Sequence, residues 1–144
     1  DEAEVYDVVL ATEAYSESSY AKTQSGYDKD KTYPSKALND AIEASARKLN
    51  IPLHKGCIHS SDVFYREGEG DYYKDIHKSK GCLAVEMESF ALFHNASVLG
   101  KNAACILTIS DSFVSKQITT AEERQTSFTR MMHIALEAAS EQLP

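Results

Sequence analysis

The sequence has no tryptophan, and only three cysteines, three prolines and six glycines among 144 residues. It shows no internal repeat, no Gly-Ser linker and no low-complexity segment. No apolar run approaches the roughly 20 residues of a membrane span, so no membrane partner is expected. No signal peptide precedes Asp1, and the abrupt Asp1-Glu2-Ala3-Glu4 start, without Met, reads as a mature piece or a fragment. Basic residues are in deficit: a formal net charge of -7 argues against a nucleic-acid surface, because phosphate contacts need clustered Lys and Arg. A few local cations could still receive an anionic substrate. Cys57, Cys82 and Cys105 form no CxxC pair and sit in apolar stretches, which reads as buried free thiols in a reducing cytosol. The five histidines include no HxxxH or HExxH pair, so no metal site is expected. Asn95-Ala96-Ser97 matches a glycosylation sequon and reads as chance.

What is present is globular: 42% hydrophobic and 26% charged residues. The length suits one domain over residues 1–144. Val5–Leu10 is short and nearly continuous in apolar character, the pattern of a strand buried on both faces. Ser16–Tyr33 is polar and reads as a long surface loop. Pro34 and Ser35 open a helix with Leu38, Ala41, Ile42, Ser45 and Leu49 at helical spacing, and Pro52 stops it. Leu53–His59 reads as a second strand, Arg66–Asp71 as a turn, and Tyr72–Lys80 as a short helix broken by Gly81. Cys82–Val85 is a third strand running into a helix that ends at Gly100, and Ala103–Ile109 a fourth. Thr120 and Glu123 form a capping box. One long amphipathic helix then follows, with Phe128, Met131, Met132, Ala135, Leu136 and Ala139 as its apolar set. Strands alternating with helices define an α/β protein with a parallel or mixed sheet.

Ligands of open α/β sheets gather at the carboxyl ends of strands. Two of these strands end in acids: Glu86 and Glu88 after the third, Ser110-Asp111 after the fourth. Asp62 and the pair Phe64-Tyr65 follow the second. Helix capping competes as an explanation, evenly for Ser110-Asp111 and less well for the glutamates, since Glu is a poor N-cap.

Taken in order, Asp7-Val8-Val9-Leu10, Ser61-Asp62-Val63-Phe64-Tyr65, Val85-Glu86-Met87-Glu88-Ser89, Thr108-Ile109-Ser110-Asp111 and Thr119–Gln125 resemble the hexameric, bacterial-type purine nucleoside phosphorylases. The ordered set covers nearly the whole chain. The resemblance implies a three-layer nucleoside phosphorylase-like fold, a mixed central sheet flanked by helices, with its N-terminal part absent. It implies phosphorolysis of purine (2′-deoxy)ribonucleosides to free base and pentose 1-phosphate, in the cytoplasm, with phosphate as co-substrate and no cofactor. Partners would be the nucleoside, phosphate, and either like subunits (dimers assembling to a hexamer) or a companion N-terminal segment.

Residue by residue, Phe64 would stack on the purine, and Val85, Glu86 and Met87 would line the nucleoside pocket. Glu88 would accept hydrogen bonds from the ribose 2′- and 3′-hydroxyls, a task for a carboxylate with two acceptor oxygens. Asp111, with Ser110 beside it in the substrate site, would protonate N7, and Arg124 would assist. Breaking the glycosidic bond leaves negative charge on the purine, which a proton at N7 removes. An ordinary Asp titrates near 3.9, so an acid needs burial, whereas a neighbouring Arg works the other way. Arg124 is therefore expected to approach late, during closure.

Family members are longer, and their glycine-containing phosphate loop and phosphate-binding arginines would lie before Asp1. Their borrowed His and Arg from a neighbouring subunit would lie there too. The chain is thus read as the C-terminal portion of a larger enzyme or a shortened relative. Thr12-Glu13-Ala14-Tyr15 replaces small residues and Gly68-Glu69-Gly70 extends a loop, which affects the entrance and base preference. The rival readings are a nucleosidase of the same fold, of the methylthioadenosine or S-adenosylhomocysteine type, and a non-catalytic nucleoside-binding or assembly fragment.

Overall fold

The computed structural model describes residues 3–64, 66–67 and 70–142, with Gln142 described in its backbone alone. Tyr65 and the Gly68-Glu69 part of the predicted turn lie outside the described residues. The elements in chain order are β1 (Val8–Tyr15), α1 (Tyr20–Ser25), β2 (Lys31–Thr32), α2 (Lys36–Lys48), β3 (His54–Ser60) and α3 (Tyr72–Lys80). They continue with β4 (Cys82–Glu86), α4 (Ser89–Val98), β5 (Ile106–Thr108), α5 (Ala121–Thr126) and α6 (Thr129–Gln142). The sheet is mixed. Its hydrogen-bonded order is β2-β1-β3-β4, with β5 also paired to β1. β1 runs antiparallel to β2 and β5, while β3 and β4 are parallel. This is the expected α/β fold with a mixed sheet and flanking helices.

The chain divides into two compact units. The first comprises Asp1–Leu10, Lys36–Lys55 and Ile106–Pro144. In it Val8, Val9 and Leu10 pair with Thr108, Leu107 and Ile106, and α6 packs on α2 and β5. Val8, Val9 and Leu10 are at most 1% exposed, as the apolar run predicts. The strand starts later than expected, because Tyr6 adopts φ 75° and a turn closes between Glu4 and Asp7. Left-handed backbone at a bulky residue is strained, and three contacts hold it. The Tyr6 amide donates to the Ile109 carbonyl, Arg130 donates to the Tyr6 carbonyl at 2.6 Å, and the phenol donates to Glu123.

The predicted long C-terminal helix is two helices. The chain leaves helical geometry at Ser127-Phe128, where the Phe128 ring meets Tyr6 edge-on. Thr126 hydrogen-bonds back to the Glu122 carbonyl, a local bond that competes with helix continuation. The buried face of α6 also differs from the expected one. Ile134 and Ala138 are 0% and 6% exposed, whereas Met132 and Leu136 face outward at 44% and 68%. The helix carries two apolar stripes, and α2 and β5 cover the one through Ile134.

The second unit comprises Ala11–Ser35 and Gly56–Cys105. Its β1–β2 ladder joins Ala14 to Thr32 and Tyr15 to Lys31. The polar Ser16–Tyr33 stretch, expected to be a loop, contains α1 and β2. α1 is short and anchored through side chains: the Tyr20 hydroxyl donates to Asn95 on α4, and Gly26 ends the helix at φ 76°. Gly81 does the same for α3 at φ 71°. Phe90 and Phe93 bury one face of α4, and Thr32 donates to the Phe90 carbonyl. Tyr15, Cys57, Ile76 and Cys82 form a buried cluster with Tyr72 packed against it.

Candidate functional site

The predicted residues fall into two groups, one in each unit. Ser110, Asp111 and Arg124 belong to the first unit. β5 ends at Thr108, and the backbone carries Asp111 into a bridge with Ile118 that closes a loop over residues 112–117. Thr119 returns beside Ser110 through its amide. Thr120 then caps α5: its hydroxyl accepts the Glu123 amide while the Glu123 carboxylate takes the Thr120 amide. This box is the one read from sequence. It sets the first turn of α5 so that Arg124 lies next to the loop.

One terminal nitrogen of Arg124 donates to both Asp111 carboxylate oxygens, at 2.9 and 3.1 Å. The Nε donates to the Thr119 hydroxyl at 3.0 Å, and the same terminal nitrogen reaches the Thr119 carbonyl at 3.2 Å. Ser110 completes the cradle, its hydroxyl donating to Asp111 Oδ2 at 2.7 Å. Two expectations are corrected here. Arg124 does not wait for a closure step; it is already seated on Asp111. Nor is Asp111 sequestered, since its side chain is 35% exposed. The reason is local: Thr119, two atoms of which hold the guanidinium, immediately precedes the capped turn that presents Arg124. Sequence reasoning passed over Thr119 as a functional neighbour, although its place before the capping box was visible.

Val85, Glu86, Met87, Glu88 and Phe64 belong to the second unit. β4 ends at Glu86 and α4 begins at Ser89, so the intervening Met87-Glu88 step sits at a helix N-terminus. Glu86 does not simply line a pocket. Its Oε2 accepts the amides of Glu88 and Ser89, each at 2.8 Å, and the Ser89 hydroxyl donates to its Oε1. The four orphan amides of a helix start need such acceptors. Glu is a poor cap at the N-cap position itself, but from two residues earlier its longer side chain reaches forward over the turn. Glu88, by contrast, is exposed and accepts only from the Met87 amide, at 3.2 Å, among the hydrogen bonds described. A carboxylate of that kind has acceptor capacity left for two hydroxyls. Val85 and Met87 stand open at 43% and 42%, and Phe64 at 73%.

A cavity of about 450 Å³ opens beside α4. Met87 lines it, together with Ser16, Ser18, Ser60, Asp62 and Phe90. Much of its serine-rich wall comes from the Ser16–Tyr33 stretch, expected from its composition to be a long surface loop of the functional or mobile kind. Nearby in the same unit Glu17 accepts from His59 at 2.8 Å and from Arg66 at 3.3 Å, and Arg66 lies 3.9 Å over the Tyr72 ring. Burial, with the Glu86 and Glu88 charges adding to it, pushes the Cys105 thiol up to about 12. Among the described residues, no three His, Cys, Asp or Glu side chains cluster as a metal site. No helix of the described residues is long and apolar enough to cross a membrane.

Mixed-sheet α/β architecture, with acids at the end of β4 and on the loop after β5 and an arginine clamped on the second, places ligand-binding groups beyond strand ends. Residues 1–142 match the phosphorylase superfamily, and the chain belongs to that family. It is 39% identical over 140 residues to the DeoD-type purine nucleoside phosphorylase of Clostridium perfringens strain SM101, covering 96% of this chain and 58% of that protein. It is 38% identical over 148 residues to the protein of that name from Bacillus cytotoxicus, covering 98% and 59%. The Mycoplasma genitalium protein of that name is 38% identical over 133 residues, covering 91% and 55%. The chain therefore spans less than two-thirds of the length of these relatives.

Proposed function

We propose that this chain supplies the nucleoside-handling residues of a purine nucleoside phosphorylase, which cleaves the N-glycosidic bond with phosphate and releases the free base and pentose 1-phosphate. The observation that carries the reading is the Asp111–Arg124 pair, a carboxyl group and a fixed cation on the loop after β5. Asp111 gives its proton to N7 as the base departs. The bound purine replaces water over its exposed side, and that desolvation favours the protonated form against the pull of Arg124, which then stabilises the carboxylate left behind. Ser110, hydrogen-bonded to Asp111, keeps that carboxyl group oriented. Glu88 receives the ribose hydroxyls, with Glu86 holding the turn that presents it. Val85 and Met87 offer the sugar an apolar wall, and Phe64 offers the purine an aromatic face. Phosphate is co-substrate and attacks C1′; no cofactor takes part.

The names of the relatives support the choice of phosphorolysis over hydrolysis, and Arg124 fits it. We further read the protein as a cytoplasmic homo-oligomer. Leu92 and Val98 of α4 and Leu99 just past its end, 44%, 48% and 70% exposed, suit a face covered on assembly. The test is base release from inosine and adenosine by the protein expressed from its native gene, with and without inorganic phosphate. Cleavage that requires phosphate, with pentose 1-phosphate as product, supports the reading. Cleavage at an equal rate without phosphate makes it a nucleosidase, and nucleoside binding without release makes it a non-catalytic binder.

A further inference from the structure

The three cysteines are widely spaced in sequence, yet the parallel pairing of β3 with β4 brings two of them together. Cys57 and Cys82 are direct register partners. Their sulfurs stand 3.1 Å apart, and the residues are 6% and 5% exposed. Adjacent strands lie about 4.8 Å apart, within the roughly 4.4–6.8 Å Cα separation that a disulfide bridges. In-register partners also direct their side chains to the same face of a sheet. Gly56 keeps the strands close beside the pair: a Cβ there would come within 2.5 Å of the Leu83 side chain. The Cys82 backbone is fixed as well, its carbonyl accepting from His77 Nδ1 at 2.9 Å.

We propose that Cys57 and Cys82 are a redox-active dithiol that closes to an intramolecular disulfide when the protein meets a hydroperoxide. This inference is independent of the proposed phosphorolysis. The two thiols are inequivalent. The contact between the two sulfurs holds Cys57 below the usual thiol range; burial and the Glu13 charge oppose it, and the nearby Lys31 charge assists it. Cys82 is pushed upward by that same contact and by burial. Cys57 is therefore the attacking thiolate. It displaces hydroxide (or alkoxide) from the peroxide O–O bond and becomes a sulfenic acid, losing two electrons to the peroxide. The Cys82 sulfur then attacks the Cys57 sulfur, the S–S bond forms and the sulfenic oxygen leaves as water, taking the Cys82 proton. In total two thiols and one hydroperoxide give one disulfide, one alcohol or water, and one water. Cys105, whose thiol burial pushes up to about 12, is disfavoured as a competing nucleophile.

The test is to equilibrate the folded chain in glutathione buffers of rising oxidised fraction, and in parallel to expose it to hydrogen peroxide. Samples are then acid-quenched, alkylated in denaturant, digested and mapped by mass spectrometry without reduction. The expected result is loss of alkylation at both Cys57 and Cys82. The peptides carrying them should be joined, lighter by two hydrogens, and separated again by dithiothreitol, with Cys105 alkylated throughout. The unfolded chain, oxidised in the same way, should give mixed pairings. Recovery of Cys57 and Cys82 as alkylated thiols at the most oxidising ratio would overturn the proposal. So would pairing of either one with Cys105 or with glutathione in its place. The readout uses the wild-type chain and needs no variant.

Discussion

Arg124 grips Asp111 through a single terminal nitrogen that touches both carboxylate oxygens, at 2.9 and 3.1 Å, while its Nε is spent on Thr119. The guanidinium is thus fixed by the backbone it grows from and not by the acid alone. Orientation of this kind is what a lysine cannot reproduce, because an ammonium is a point charge on a flexible stem. Arg124→Lys should keep the fold and the charge but lower turnover by about tenfold to a hundredfold, roughly 1.4–2.8 kcal/mol of transition-state stabilisation. Steady-state kinetics with a purine nucleoside at saturating phosphate checks this. An unchanged kcat would mean that Arg124 is only a surface ion pair.

Glu86 accepts two amides at the start of α4, so its loss should be felt in stability and in sugar binding together. Glu86→Ala is expected to cost about 1 kcal/mol, the usual scale for a lost helix cap. It should also raise KM for the nucleoside, since the amide of Glu88 is one of those released. Denaturant unfolding and a KM measurement on the same variant decide it. A stability loss with no change in KM would make Glu86 a cap and nothing more.

Tyr6 and Glu123 give the first unit a pH response of known sign. The phenol donates to the Glu123 carboxylate at 2.6 Å and, with the Thr120 amide and hydroxyl, holds Glu123 below its ordinary value. The same bond, with burial and the Glu123 charge, raises Tyr6. For Glu123 the folded state prefers the ionised form. That contribution is present above the ordinary carboxylate range and fades as pH falls through the lowered value. For Tyr6 the folded state prefers the neutral phenol, so its contribution is complete below the ordinary tyrosine value near 10 and is lost at higher pH. Tyr6→Phe should flatten both limbs of a plot of unfolding midpoint against pH. A wild-type shape retained in that variant would remove Tyr6 from the account.

Much of this architecture was legible because its signals are local. The Gly81 stop of α3, the capping box at Thr120 and the strand into Glu86 each depend on neighbours within a few residues. Where long-range contacts decide, sequence reasoning went astray. α1 depends on Tyr20 reaching Asn95, and nothing in the polar Ser16–Tyr33 composition announces that partner. The start of β1 is delayed by Tyr6, whose left-handed backbone is held by Ile109 and Arg130 more than a hundred residues away. In α6 the choice between the Ile134 and Met132–Leu136 stripes belongs to α2 and β5, not to the helix itself. Glu88 and Asp111 were visible as acids at strand ends. Their different circumstances, one with spare acceptor capacity and the other clamped by Arg124, required the folded backbone.

Asp111 is the point on which the functional reading turns, and N7 methylation of the substrate isolates its role. A purine nucleoside methylated at N7 already carries the positive charge that a proton would supply, so its cleavage needs no acid at that atom. Asp111→Asn should lose about a hundredfold to ten-thousandfold in kcat on an ordinary purine nucleoside, with a much smaller change in affinity. It should cleave the N7-methylated analogue at close to the wild-type rate. Equal losses on both substrates, or no loss on either, would contradict the assignment of Asp111 as the acid.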